Sequence, residues 1–169
     1  DESQRTAVKR LYAWIRSCVP DGATSADLST FKSEKFRDEI SDYFDKAFLL
    51  TYYLWTDYFL AVDQRAKNMM LRTWDGLIWY ITYYDGDTQM GKRNDCFLVY
   101  DYTTDRDTYD AEAGKYAFEG RDSWLWNLVL ANLDADLKTQ AQALRGVLTT
   151  SRVLDMLNVE QAGNWCDRA

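Results

Sequence analysis

The sequence predicts an all-α domain, and two observations carry that expectation. Only one proline and eight glycines occur in 169 residues, fewer turn-formers than a chain of many short strands requires. Apolar residues also recur at i, i+3, i+4 and i+7 through both ends of the chain, which is the period of a helix with one buried face. Together these give about seven helices packed as stacked antiparallel helical hairpins. Residues 1–169 read as a single helical domain, long enough to bury about two-thirds of the unfolded surface.

The first helix is predicted over residues 3–19, where Ala7, Val8, Leu11, Tyr12, Trp14, Ile15, Cys18 and Val19 follow the helical spacing. Pro20-Asp21-Gly22 ends it, and residues 23–29 form a polar linker. A second amphipathic helix is predicted over 30–46, with Phe31, Phe36, Ile40, Tyr43, Phe44 and Ala47 on one side. Its continuation over 48–62 is apolar nearly all round, so it must be buried or covered by a partner. Asp42-Tyr43-Phe44 recurs as Asp57-Tyr58-Phe59, fifteen residues on; one such echo does not make a repeat.

The middle of the chain supports two readings. Residues 77–84 and 96–103 are rich in β-branched and aromatic side chains, which suits strands, and Asp85-Gly86-Asp87 between them could open a hairpin. An eleven-residue connection is long for a hairpin, however, and the run 69–74 enters the first segment without a break. Helices are therefore the favoured expectation. The alternative is an α+β fold with a 77–84/96–103 hairpin. Residues 104–122 read as an acidic loop with a short helix over 111–118. Ser123 is positioned to cap a helix that carries Trp124, Leu125, Leu128, Val129 and Leu133, and helices over 137–148 and 151–159 complete the fold.

Composition excludes more chemistry than it offers. Histidine is absent, whereas there are seven Trp, twelve Tyr and seven Phe. Without imidazole, the usual general acid/base near neutral pH and the commonest metal ligand are missing, as are imidazole-activated Ser or Cys nucleophiles. Twenty basic against 27 acidic residues leave a net charge of −7, which disfavours binding to phosphate backbones. Cys18, Cys96 and Cys166 form neither a metal-type pair nor an even disulfide set. No apolar run approaches the ~20 residues of a membrane span. No catalytic, cofactor or metal site is therefore predicted.

The acidic motifs do not overturn this. Asp85-Gly-Asp87-Thr-Gln89 starts like a calcium loop, but Met90 and Cys96 stand where Gly and Glu are needed. Asp105-Arg-Asp107-Thr-Tyr-Asp110 fails the same way. Carboxylate pairs and stacking aromatics also suit carbohydrate chemistry, which needs a particular spatial separation. Among the aromatics, Trp14, Phe44, Phe48, Trp74, Leu77 and Trp126 at helical spacing are expected in the core. Tyr52, Tyr53, Trp55, Tyr83 and Tyr84 are expected to face a partner, because Tyr and Trp dominate contact energetics.

Two windows resemble pentatricopeptide-type helical hairpins. Thr73-Trp74-Asp75-Gly76-Leu77-Ile78 is similar to the opening of the first helix of such a unit, and Cys96-Phe97-Leu98-Val99-Tyr100 to its second. Leu125-Trp126-Asn127-Leu128-Val129-Leu130, followed by residues 141–148, is similar again. The matches cover at most half of the chain, depart from the 35-residue spacing and lack the usual Gly-x-x-Pro-Asp ending. Pentatricopeptide proteins generally read RNA, to which this acidic chain is ill suited. Size and helical hairpins resemble instead the small pentatricopeptide-like accessory subunits on the α subunits of euglenozoan (trypanosome and euglenid) mitochondrial F1-ATPase. The resemblance implies a non-catalytic accessory subunit that binds a protein partner. A first residue of Asp1 suggests a removed targeting peptide and, with the resemblance, the mitochondrial matrix. The alternative is a small secreted or periplasmic carbohydrate-active or ligand-binding domain using paired carboxylates and Trp/Tyr stacking.

Overall fold

Ala7, Leu11 and Trp14 turn one face of helix α1 (Glu2–Ser17) into the core at the predicted spacing, and Cys18, just past its end, is buried with them. Glu2 in its first turn and Arg16 in its last oppose the helix dipole favourably. In the computed structural model, residues 2–59, 61–65, 68–86, 109–110, 115–116 and 123–155 are described. They are mostly helical, with small antiparallel strand pairs. Among them no helix is long and apolar enough to cross a membrane.

The predicted linker after α1 contains a helical turn, α2 (Ser25–Leu28), whose Leu28 is fully buried. The single helix expected over 30–46 is instead broken in two. Ser33 caps α3 (Glu34–Glu39) by accepting from the Phe36 N–H, and a 3-10 turn (Ile40–Asp42) follows. The chain then leaves helical geometry because Phe44 bridges to Trp79 and the Trp79 N–H donates to the Tyr43 carbonyl at 2.7 Å. Asp45 restarts it, capping α4 (Lys46–Tyr58) through the Phe48 N–H. A second 3-10 turn (Val62–Arg65) comes after α4.

Residues 69–84 are the largest departure from expectation. Strands β1 (Met70–Thr73) and β2 (Trp79–Thr82) pair antiparallel, with Leu71 opposite Ile81 and Thr73 opposite Trp79. The helix expected over 77–84 is thus a strand, and its partner lies before it. Residues 96–103 lie outside the described residues. The hairpin is set by Thr73-Trp74-Asp75-Gly76. Asp75 Oδ1 accepts from the Leu77 and Ile78 N–H groups at 2.8 and 2.9 Å, and Gly76 adopts φ 75°, a left-handed conformation that glycine takes without strain. The window resembling the opening of a pentatricopeptide helix is therefore a turn. Tyr109–Asp110 (β3) and Lys115–Tyr116 (β4) also pair, which replaces helix with strand in part of 111–118.

Helices α5 (Trp124–Asn132) and α6 (Asp134–Val147) fall where the sequence places them, separated only by Leu133. Ser123 caps α5 by accepting from the Trp126 N–H, and residues 150–155 are helical. Helix α6 lies along α4, tied by Lys46–Asp136 at 2.7 Å and by Gln140 donating to Thr51 at 2.8 Å. One core unites α1, α3, α4, β2, α5 and α6 around Trp14, Phe36, Phe44, Leu49, Trp79 and Trp126. Trp14, Phe44 and Trp126 are buried as expected. Phe48, Trp74 and Leu77 are not, and Trp74 is 82 % exposed at the hairpin tip. For Trp74 and Leu77 the reason is local, since a hairpin turn puts them outward where a helix would have turned them in. Phe48 lies in α4, at the flank of the face that buries Leu49, Leu50 and Tyr52.

Candidate functional site

The last two turns of α4 gather most of the aromatic residues expected to meet a partner. Tyr52 is buried, Tyr53 and Trp55 are half-buried, and Tyr83 and Tyr84 stand exposed at the end of β2. Tyr52, Tyr53, Trp55 and Tyr83 belong to one continuous set of ring contacts that runs through Trp126, while Tyr84 joins it through its backbone bonds to Gln64. Tyr52 stacks on Trp126 of α5 at 6.2 Å and 6°, and Tyr53 meets the same indole at 5.6 Å. Trp55 lies 6.3 Å from Tyr52 and takes Tyr83 edge-on at 4.8 Å. Beyond Trp55, Phe59 at 5.5 Å and then Tyr58 at 5.3 Å carry the row to the surface.

Polar groups fix this row from behind. The Tyr52 hydroxyl donates to the Gln64 carbonyl at 2.9 Å. The buried Gln64 side chain donates to the Tyr84 and Asp85 carbonyls at 2.7 and 2.8 Å and accepts from the Tyr84 N–H at 3.3 Å. Asn68 adds a bond to the Asp85 carbonyl at 3.1 Å. This clamp holds Asp85 at φ 55°, a left-handed conformation that costs energy for a residue with a side chain. Tyr83 folds over Gly86 so closely that a Cβ there would overlap its hydroxyl. The orientation of Tyr83 therefore depends on that glycine.

Arg65 completes the site. Its carbonyl accepts from Trp126 Nε1 at 2.9 Å, its guanidinium carbon lies 5.0 Å from the centre of the Tyr53 ring, and its Nη1 meets Asp57 Oδ1 at 3.5 Å. Burial raises the Tyr52 hydroxyl well above the ordinary phenol range, with the nearby Tyr83 hydroxyl adding and Arg65 opposing. Tyr52 is thus a neutral hydrogen-bond donor and not a base.

Of the five predicted contact residues, the structure brings all into one cluster and removes one from the surface. Tyr52 is a core residue because its ring is sandwiched against Trp126 and its hydroxyl is spent on Gln64. Gln64, Arg65 and Asn68 escaped sequence reading, since polar residues default to the surface and their burial depends on contacts far along the chain. Chemistry is sparse here. Among the described residues no group of three Cys, Asp or Glu is placed to hold a metal. Asp27 and Asp75 have carboxyls held below the usual range, each chiefly by backbone N–H bonds, opposite to what a general acid needs.

The fold and the site define a mostly helical protein whose most organised surface is an aromatic row backed by a buried arginine. No known family model, no curated protein and no solved structure matches the chain.

Proposed function

We propose that this protein is a non-catalytic accessory subunit that binds a partner protein through the row Tyr58, Phe59, Trp55 and Tyr83, with Tyr84 beside it. The observation that carries this reading is the row's continuity. Exposed Tyr58 and Tyr83 and half-buried Phe59 and Trp55 are linked by successive ring contacts, and the Gln64 clamp fixes the backbone of exposed Tyr84 next to Tyr83. Aromatic anchors that are rigid before binding lose little conformational freedom on docking, which is how a few such residues come to dominate an interface. The acidic remainder of the surface stays in water. Within this reading the helices stack as antiparallel hairpins that present the row, and residues 1–169 act as one domain. The resemblance of the α5–α6 segment to pentatricopeptide-like subunits makes the α subunit of a mitochondrial F1-ATPase, in the matrix, the first partner to try.

The test is co-purification from the native source with quantitative mass spectrometry, repeated with Tyr83→Ala/Tyr84→Ala. A stoichiometric companion that is lost from the double variant, with stability unchanged within about 0.5 kcal/mol as for exposed positions, supports the reading. Recovery of the chain alone, or a companion indifferent to both tyrosines, sinks it. F1 α among the companions would identify the partner; a glycan-array signal in place of any companion would favour a carbohydrate-binding role.

A further inference from the structure

The β1–β2 hairpin leaves one strand edge open. In an antiparallel pair a residue turns its N–H and C=O together, toward the partner strand or away from it, and the two settings alternate. Trp79 gives its N–H to the Tyr43 carbonyl on the far side of β2, so the Thr73–Trp79 pair is one without mutual backbone bonds. Two residues back, the Leu71–Ile81 pair is of the same kind. The N–H and C=O groups of Leu71 and Thr73 therefore point off the free edge of β1, where no described residue bonds them.

An open edge is a template for a further strand, and proteins usually blunt it with proline, a bulge or several charges. β1 has no proline, its register with β2 runs without a bulge, and Arg72 is its one charge. Its surroundings are apolar as well. Among the described residues, five of the twelve large apolar side chains left exposed lie within residues 70–84: Met70, Trp74, Leu77, Tyr83 and Tyr84. A two-stranded sheet is also marginal in water until more strands join it.

We infer that β1 pairs with β1 of a second copy of this chain across a two-fold axis at Leu71, which joins the two hairpins into a four-stranded antiparallel sheet. Self-complementarity selects this occupant. With the axis there, each Leu71 exchanges backbone bonds with its counterpart, and Thr73 lies opposite Met69 of the second copy. On the outer face exposed Met70 stands opposite Arg72 of the second copy, with that copy's Trp74 diagonal to it. Arg72 already lies over Trp74 at 5.5 Å, so Met70 extends an existing stack. An axis at Arg72 would set two guanidiniums directly opposite each other, and one at Met70 would carry Thr73 well past the start of the second copy's strand. The contact is small, so the dimer is weak and forms at high concentration. It does not require the aromatic row to dock a protein, and the two readings fail separately.

Sedimentation velocity of the full-length chain from about 5 to about 500 μM, with amide hydrogen exchange at both ends of that range, provides the test. A concentration-dependent dimer is expected. In it the Leu71 and Thr73 amides should exchange about tenfold more slowly, while the Arg72 amide, on the β2 side of the ladder, changes least. Met70→Glu, at an exposed position, puts a carboxylate opposite Arg72 of the second copy and should tighten the dimer about threefold or more. Met70→Lys should loosen it by a similar factor. A monomer throughout, a dimer that leaves both amides unprotected, or equal responses to Glu and Lys overturns the proposal. Protection already complete at the dilute end overturns it too, because the edge would then be covered within one chain. So does protection seen only in a complex from the native source, which would give the edge to a strand of another protein.

Discussion

Two arginines cap two aromatic stacks in this molecule, and they are finished differently. In the first stack Arg10 lies 4.2 Å over Tyr43, Tyr43 stacks on Trp14 at 4.2 Å and 10°, and Trp14 stacks on Phe36 at 5.5 Å. Arg10 donates to the Leu77 and Asp42 carbonyls at 2.9 and 3.2 Å, and the Trp14 indole donates to Glu39 at 3.1 Å. In the second stack Arg65 lies against Tyr53, which leads to Trp126, Tyr52, Trp55 and Tyr83. Its guanidinium is buried more deeply yet uses fewer donors. The first stack fastens α1 to the hairpin; the second is organised but incomplete, and it leads to the surface. Placement of an arginine on an aromatic face thus does not itself reveal its role. What the other donors meet does.

This contrast can be broken at several points. The largest effects belong to the central indoles: Trp14→Ala and Trp126→Ala should each destabilise by about 3–5 kcal/mol in urea unfolding. A cost below about 1 kcal/mol for either would remove that ring from the core. Gln64→Ala removes the donor to the Tyr84 carbonyl and the acceptor of the Tyr84 N–H, leaves the Asp85 carbonyl to Asn68 alone, and should cost about 2–3 kcal/mol. Near-neutral behaviour would mean that the clamp does not hold. The arginines should respond with opposite signs. Arg10→Met loses two carbonyl bonds and should destabilise by about 1–2 kcal/mol, whereas Arg65→Met removes a buried, half-used charge and should be neutral or stabilising by about 1–2 kcal/mol. Equal losses from both variants would erase the distinction.

A finer difference lies in alkaline pH. Burial pushes the Cys18 thiol beside the first stack up to about 11, with Glu39 adding to it, and burial raises the Tyr52 hydroxyl in the second. Both pKa values rise on folding, so both groups favour the protonated state. Their contribution is complete below the unfolded values and fades as pH climbs through the folded ones. Urea midpoints should begin to fall above about pH 9, the ordinary thiol value, and Cys18→Ala should remove the part lost by about pH 11. A midpoint flat across that range would contradict the burial of Cys18.

Much of the helical frame was legible because it obeys one-dimensional rules. The α1 face, the Ser123 cap and the α5 and α6 segments all follow from periodicity or capping. Residues 69–84 were misread because two Asp-Gly pairs compete to be the turn. Asp85-Gly86 suits a hairpin by type, but the turn between β1 and β2 is made at Asp75-Gly76, where the Asp75 carboxylate accepts from the Leu77 and Ile78 N–H groups. The break before α4 depends on Trp79, thirty-odd residues away, and local pattern carries no trace of it. The aromatic site was half legible for the same reason. Its rings were identifiable by type, but which of them lie inside, and that an arginine sits behind them, depends on α5.

Asn132 accepts from the Ser33 N–H at 2.7 Å and donates to the Phe31 carbonyl at 3.0 Å, while Lys32 donates to the Ala131 carbonyl. The first of these bonds joins residues 99 apart. On a ribosome adding roughly 5–20 residues per second, the segment before α3 must wait about 5–20 s for its partner to be made. During that interval Leu28 and Phe36, both fully buried in the finished protein, lack α5 to cover them. The nascent chain therefore carries a timed period of apolar exposure, which ends when Asn132 emerges and closes the seam.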